Sequence, residues 1–240
     1  MLSVHTRRLL VLFVGAFALA GMFLGPAVES ARADIIQNIT VNGTATVAFA
    51  DQTSPIAPLA PWVLSDYFGD LNDPDTIPPF VDILGSTLSI SASGEWGHGP
   101  SPEQLSGPEG RGVKDAGTLL QYEAFGISII NNVDLNTLVG VFTNDAGPIP
   151  GMAPLRLTGG VSDMTTPLLN QTFAIGAALS DVDVPSGATR LYFGLHNGYE
   201  WTNNVGSVNV TVTQVPEPGI LILLGISMMS VAGLRRLWKE

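Results

Sequence analysis

The chain has 240 residues, no cysteine, and 21 acidic against ten basic residues. Without cysteine there are no disulfides, no thiolate zinc sites and no cysteine nucleophile. Six of the ten basic residues sit at the two ends, so residues 34–218 hold four basic and 19 acidic residues, a formal charge of −15 that repels nucleic acid phosphates and argues against nucleic-acid binding.

Residues 1–33 have the layout of a secretory signal. Arg7 and Arg8 precede an apolar run over 9–24, Pro26 breaks the run, and Ala31-Arg32-Ala33 places small residues where a signal peptidase reads. Cleavage is expected between Ala33 and Asp34. A retained transmembrane anchor is the plainer alternative, and the proline and the small-x-small site argue against it.

From residue 34 the pattern changes to period two. Ile39, Val41, Ala45, Val47 and Phe49 alternate with polar residues, as do Leu88, Ile90 and Ala92, then Leu191 to Leu195, and finally Val208, Val210 and Val212. Such alternation marks half-buried strands. Asn42-Gly43 and Asp145-Ala146-Gly147-Pro148 are turn signals. No amphipathic helix is read between 34 and 214, and 55–79, rich in Pro and Asp, reads as a long loop or insertion. Short strands with Gly- and Pro-rich turns predict an all-β body over 34–214, a jelly-roll or similar β-sandwich.

The chain closes with Val215-Pro216-Glu217-Pro218, an uncharged apolar stretch over 219–234, and then Arg235, Arg236 and Lys239. Sixteen helical residues at 1.5 Å each reach roughly 24 Å, a little under a typical span of about 30 Å, and Trp238 at the interface can help make up the difference. The positive-inside rule then puts the arginines in the cytosol and the acidic body outside. The order of box, apolar helix and arginine cluster over 215–240 resembles a PEP-CTERM sorting signal. The resemblance implies recognition by an exosortase at Val215, Pro216, Glu217, Pro218, Arg235 and Arg236, removal of the helix near the Pro-Glu-Pro box, and delivery to a cell surface or extracellular matrix rich in exopolysaccharide. An ordinary membrane anchor is the alternative.

A second resemblance concerns the body. The run from Leu88 through Gly94-Glu95-Trp96-Gly97-His98-Gly99-Pro100 precedes Gly107-Pro108-Glu109-Gly110. Later come Leu191-Tyr192-Phe193-Gly194-Leu195-His196-Asn197-Gly198-Tyr199, Asn203-Asn204-Val205-Gly206-Ser207 and a closing Val-x-Val-x-Val strand. In this order, over roughly 85–214, they resemble the PA-I galactophilic lectin family, whose fold is a galactose-binding-like β-sandwich. The resemblance implies a calcium ion held by Asn203 and Asn204 as the Asx pair, by Asn197 at the position of an Asp, and by the carbonyls of Glu200 (or its neighbour Trp201) and His98. Hard oxygen donors suit calcium. It also implies carbohydrate contact through Asn197, Tyr199, Trp201 and Asn203. Two departures stand out: Asn197 removes a charge from the ligand set, and the middle loop at 113–117 lacks the His and Gln that touch sugar in the family, so galactose specificity does not carry over. Asn-Asn-x-Gly before a strand is also an ordinary turn.

Enzyme motifs do not stand out. His98 and His196 lack metal-ligand spacing, and the chain has no Gly-x-Ser-x-Gly elbow, phosphate loop or Gly-x-Gly-x-x-Gly. Asp181 and Asp183 could imitate a glycosidase pair, but neighbours on one strand read more simply as solvated. The expectation is therefore a non-enzymatic, exported surface or matrix protein with a calcium-dependent, carbohydrate-binding-like domain, whose partners are signal peptidase, exosortase, the membrane and extracellular polysaccharide. The alternatives are a structural matrix protein without a defined ligand and, third, a polysaccharide hydrolase.

Overall fold

The computed structural model describes residues 34–52, 73–99, 101–114, 123–158, 164–197 and 201–216. The chain divides into two units at Ala33/Asp34, and every described residue belongs to the second. The signal-like segment and the apolar stretch at 219–234 lie outside the described residues, as does most of the 55–79 loop. No described helix is long and apolar enough to cross a membrane.

Eleven strands are formed among the described residues. In chain order they are β1 (Ile35–Asn42), β2 (Phe80–Asp82), β3 (Gly85–His98), β4 (Leu105–Ser106), β5 (Glu123–Ala124), β6 (Ile127–Ser128), β7 (Leu138–Thr143), β8 (Thr172–Ala174), β9 (Ala178–Asp183), β10 (Arg190–Leu195) and β11 (Asn204–Pro216). The first sheet runs β1-β11-β3, and the outer edge of β3 is shared by β4 near Trp96 and by β9 near Thr87. The second runs β2-β10-β7-β8. All pairs in both are antiparallel. β5 and β6 form a separate two-stranded hairpin.

The first sheet follows the alternation. In β11, Val208, Val210 and Val212 are fully buried while Asn209 is exposed, so one face meets the core and the other meets water. Opposite them in the register stand Val41 and Ile39 of β1 and Ala92 and Ile90 of β3. These side chains face Leu138 and Phe142 of β7, Phe173 of β8 and Leu191, Phe193 and Leu195 of β10, which together close the core between the sheets. The Phe142 and Phe173 rings stack at its centre, 5.4 Å apart. Fully burying each such side chain contributes about 1.5–3 kcal/mol, which is the energy that sets the register.

In the second sheet β7 and β10 are buried on both faces. Val139, Val141 and Tyr192 point away from the first core into a second one, built with Val47, Ala48, Phe49, Phe125, Ile127, Ile130 and Trp201. This layer corrects one expectation. The alternation was read on through Ala45, Val47 and Phe49 as strand, but β1 ends at Asn42 and Val47–Phe49 is a 3₁₀ turn with all three residues buried. The Thr46 hydroxyl caps that turn by accepting from the Ala48 N–H at 3.3 Å. A segment buried on every side need not alternate, so the pattern here held no strand information. Gly194 lets it dock: a Cβ there would lie 2.8 Å from the Val47 nitrogen. Of the 55–79 loop, the described end is pinned, with Asn42 Nδ2 donating to Asp75 Oδ1 at 2.7 Å and the Thr44 hydroxyl to the Asp75 carbonyl at 2.8 Å.

The body's last strand runs past the boundary expected at residue 214. Val215 pairs with Thr87 and Pro216 with Gly85, after a register shift.

Candidate functional site at the β3 and β11 loop end

The predicted site residues converge where β3 ends and β11 begins. His98 stands directly opposite Asn204 in the β3–β11 register. One residue on, the Gly99 N–H donates to the Asn203 carbonyl at 3.0 Å, which ties the Gly-rich loop to the 3₁₀ turn Trp201–Asn203. Asn197 follows β10, on the other sheet, and its Nδ2 donates to Asn204 Oδ1 at 3.0 Å. Thus His98, Asn197, Asn203 and Asn204 are brought together. Tyr199 and Glu200 lie outside the described residues.

Asn204 is held from the other side as well. Its Nδ2 donates to the Gly43 carbonyl at 3.0 Å. Gly43 packs so tightly on β11 that a Cβ would fall 2.6 Å from the Val205 carbonyl oxygen. Asn204 is 4 % exposed and Asn197 6 %. The orientation of both amides follows from this chain. A carbonyl at Gly43 demands the nitrogen of Asn204, which leaves Asn204 Oδ1 to accept, and Asn197 supplies the donor.

Two of the residues expected at the sugar are buried. Trp201 is 3 % exposed, packs in the second core, and donates from Nε1 to the Leu195 carbonyl at 2.9 Å. An indole with both faces in the core does not stack on a sugar ring. Asn197 is likewise too buried to meet a ligand from solvent as it stands. Asn203 is exposed.

The described members of the calcium set implied by the lectin resemblance do not suit an ion in this arrangement. Asn197 turns a nitrogen, not an oxygen, toward Asn204 Oδ1, and a cation cannot share that space with an N–H donor. Among the described residues no group of three His, Asp or Glu side chains gathers to hold a metal. Among the described residues, Asn197, Asn203, Asn204 and the His98 carbonyl supply amide and carbonyl dipoles without formal charge, and calcium affinity is set largely by ligand charge.

Several residues that shape this end of the body were not legible in advance. Trp96, wholly buried, donates from Nε1 to the Asn136 carbonyl at 2.8 Å. Asn136 sits at a φ of 67° and its N–H donates to the His196 carbonyl at 2.8 Å, while its Nδ2 donates to the Gln104 carbonyl at 2.9 Å. Its side-chain oxygen is buried without a hydrogen-bond partner among the described residues. An Asn favoured at positive φ is a sequence signal in principle, but Asn136 resembles any other turn residue until its neighbours are known.

Lys114 lines one side of a cleft of about 360 Å³, with Glu109, Asn132, Asp134, Thr137 and Met164, and with Val133, Ala174, Ile175 and Gly176. Lys114 Nζ donates to the Asn132 carbonyl at 3.1 Å, and the Thr137 hydroxyl to the Asp134 carbonyl at 2.7 Å. The result is a charged, hydroxyl-bearing rim over apolar side chains.

A third polar cluster lies on β10. Arg190 Nη1 meets Asp51 Oδ1 at 2.9 Å, Nη2 reaches Asp145 Oδ1 at 3.4 Å, and the Tyr192 hydroxyl reaches Asp51 Oδ1 at 3.3 Å. Burial, and then the Asp51 charge, push the Tyr192 hydroxyl up to about 12. Burial alone would lower the Arg190 pKa, but Asp51, Tyr192 and Asp145 outweigh it and the shift is upward. This cluster joins the segment after the 3₁₀ turn to the second sheet.

Comparison with known proteins places the chain's end first. Residues 214–236 match the PEP-CTERM protein-sorting motif. No curated protein matches the chain. Among solved structures, the EclA N-terminal domain, a PllA-like lectin, is similar to it at 15% identity and a TM-score of 0.36, with 75% of this chain and 95% of that one covered.

Proposed function

We propose that this chain is an exported bacterial protein, sorted by an exosortase to the cell surface or extracellular matrix, whose body binds carbohydrate and is not a catalyst. The observation that carries this reading is the sorting motif at 214–236, which joins directly onto the last strand of the sandwich. The leader over 1–33 serves export, signal peptidase cuts after Ala33, and the apolar stretch at 219–234 holds the product in the membrane until processing. The galactose-binding-like relationship of the body belongs to the same reading.

The cleft beside Lys114 suits a hydroxyl-rich ligand. Glu109 and Asp134 can accept from sugar hydroxyls, the Lys114 ammonium can donate, and the half-buried Met164 and Ala174 offer apolar surface to the ring's C–H face. A body with 19 acidic and four basic residues repels polyanions, so the reading is for neutral or amine-bearing glycans. The test is retention of the exported protein on immobilised neutral, amino-sugar and uronate polysaccharides. Retention on the first or second, weakened by Lys114→Ala and by Glu109→Gln, supports the reading. Passage through all three columns unretarded sinks the carbohydrate part.

One observation favours a second reading, a structural matrix protein with no defined ligand. Two of the four residues expected to touch sugar, Asn197 and Trp201, are buried. That reading has the protein fail on every column while its loss still weakens the matrix.

A further inference from the structure

We infer that the Asn197–Asn204–Gly43 chain of hydrogen bonds is a metal-free clasp, closing with neutral amides a loop junction that one added carboxylate would turn into a calcium site. The inference does not depend on carbohydrate binding.

The clasp ties three separate parts of the body. Asn197 follows β10 of the second sheet, Asn204 opens β11 of the first, and Gly43 lies in the turn after β1. Both side chains are more than nine-tenths buried, so each amide oxygen and nitrogen must find its partner inside the protein. The chain of donors is directional. The Gly43 carbonyl fixes the Asn204 nitrogen, the Asn204 oxygen fixes the Asn197 nitrogen, and the Gly43 N–H returns to the Gly206 carbonyl at 2.9 Å. Turning either amide over would set oxygen against oxygen at about 3 Å, which a neutral pair does not tolerate and a cation between them would.

This makes residue 197 decisive. With asparagine, donor meets acceptor and no ion is needed. With aspartate, a carboxylate would face Asn204 Oδ1 across the same 3.0 Å gap, two acceptors with no proton between them. That arrangement is unstable in isolation. It is relieved by a divalent cation, with the Asn203 and His98 main-chain oxygens nearby on the adjoining turn and strand end.

The experiment is thermal unfolding of the full chain, purified in detergent, in millimolar calcium and in excess EDTA, for wild type, Asn197→Asp and Asn197→Ala. Direct binding of radioactive calcium is measured on the same three proteins. Wild type is expected to melt at the same temperature in both buffers and to bind no calcium at this site. Asn197→Asp should melt below wild type in EDTA and recover in calcium, with a calcium stoichiometry raised by one. Asn197→Ala, which leaves the Asn204 oxygen buried without its donor, should melt roughly 5 °C lower in both buffers. The inference is overturned if calcium raises the melting temperature of wild type, or if folded Asn197→Asp binds no more calcium than wild type. Should Asn197→Asp not fold, the wild-type melting and calcium-binding results decide alone. None of these results bears on polysaccharide retention, so the clasp and the carbohydrate reading can fail separately.

Discussion

The side chain of Gln214 accepts the main-chain N–H of Leu84 at 2.7 Å, so a residue of the sorting motif clips the corner where β2 of one sheet passes to β3 of the other. The same oxygen accepts from Gly85 at 3.1 Å, and Nε2 donates to the Asp82 carbonyl at 2.7 Å. Gln214 is fully buried. Its replacement by leucine keeps the volume and strands the two N–H groups, while the Asp82 carbonyl keeps the Gln37 amide, at about 1–3 kcal/mol for a buried group left unmet. Gln214→Leu should therefore lower the melting temperature by roughly 5 °C or more, read by calorimetry of the processed protein. An unchanged melting temperature would mean that water replaces the clip.

Tyr192 gives the body an alkaline limit. Its pKa is pushed up to about 12 in the folded chain from an ordinary value of 10, so the native state keeps its proton where the unfolded state loses it. The stabilisation is fully present below about pH 10 and is lost as the pH climbs toward about 12. The loss is at most about 3 kcal/mol. Tyr192→Phe removes the ionisable group, so its stability should be flatter than that of wild type over this range. Denaturant melts at stepped pH check it, and parallel curves for the two proteins would contradict it.

Trp201 separates a core role from a sugar-binding role. Its indole fills the second core and ties to the Leu195 carbonyl. Trp201→Ala should cost about 3–5 kcal/mol, and Trp201→Phe less, since the ring volume is partly kept. Glycan retention per folded molecule should be unchanged in Trp201→Phe. A variant of normal stability that loses retention would restore the indole to the surface.

The sequence patterns were informative where burial is one-sided. β11 and β3 alternate because one face meets the core and the other water, so Val208, Val210, Val212, Leu88 and Ile90 were readable as strand residues with their burial. Residues 45–49 were misread as strand because two cores enclose them from different sides, and a segment buried all round shows no period. The meeting of His98, Asn197, Asn203 and Asn204 was legible from the order of motifs. The direction of the Asn197 amide was not, because it is set by the Gly43 carbonyl, more than 150 residues away in the chain. The burial of Trp201 was hidden for the same reason: loop aromatics look alike until the partner layer is known. Lys114 was noted only for what its loop lacked, since the cleft needs the 131–137 turn and the end of β8 to exist.

The account turns on export and processing of this chain, and intact-mass analysis of the product recovered from the cell surface tests that most directly. Because Gln214 is paired on both sides, with Ile35 and with Leu88, and Pro216 still pairs with Gly85, a peptidase can act on the folded body only beyond Pro216. The predicted product begins at Asp34 and ends after Pro216 with the apolar stretch at 219–234 removed, and that stretch is kept in cells without the exosortase. A full-length chain starting at Met1 in the cytosol, or a surface product cut within β11, would contradict it.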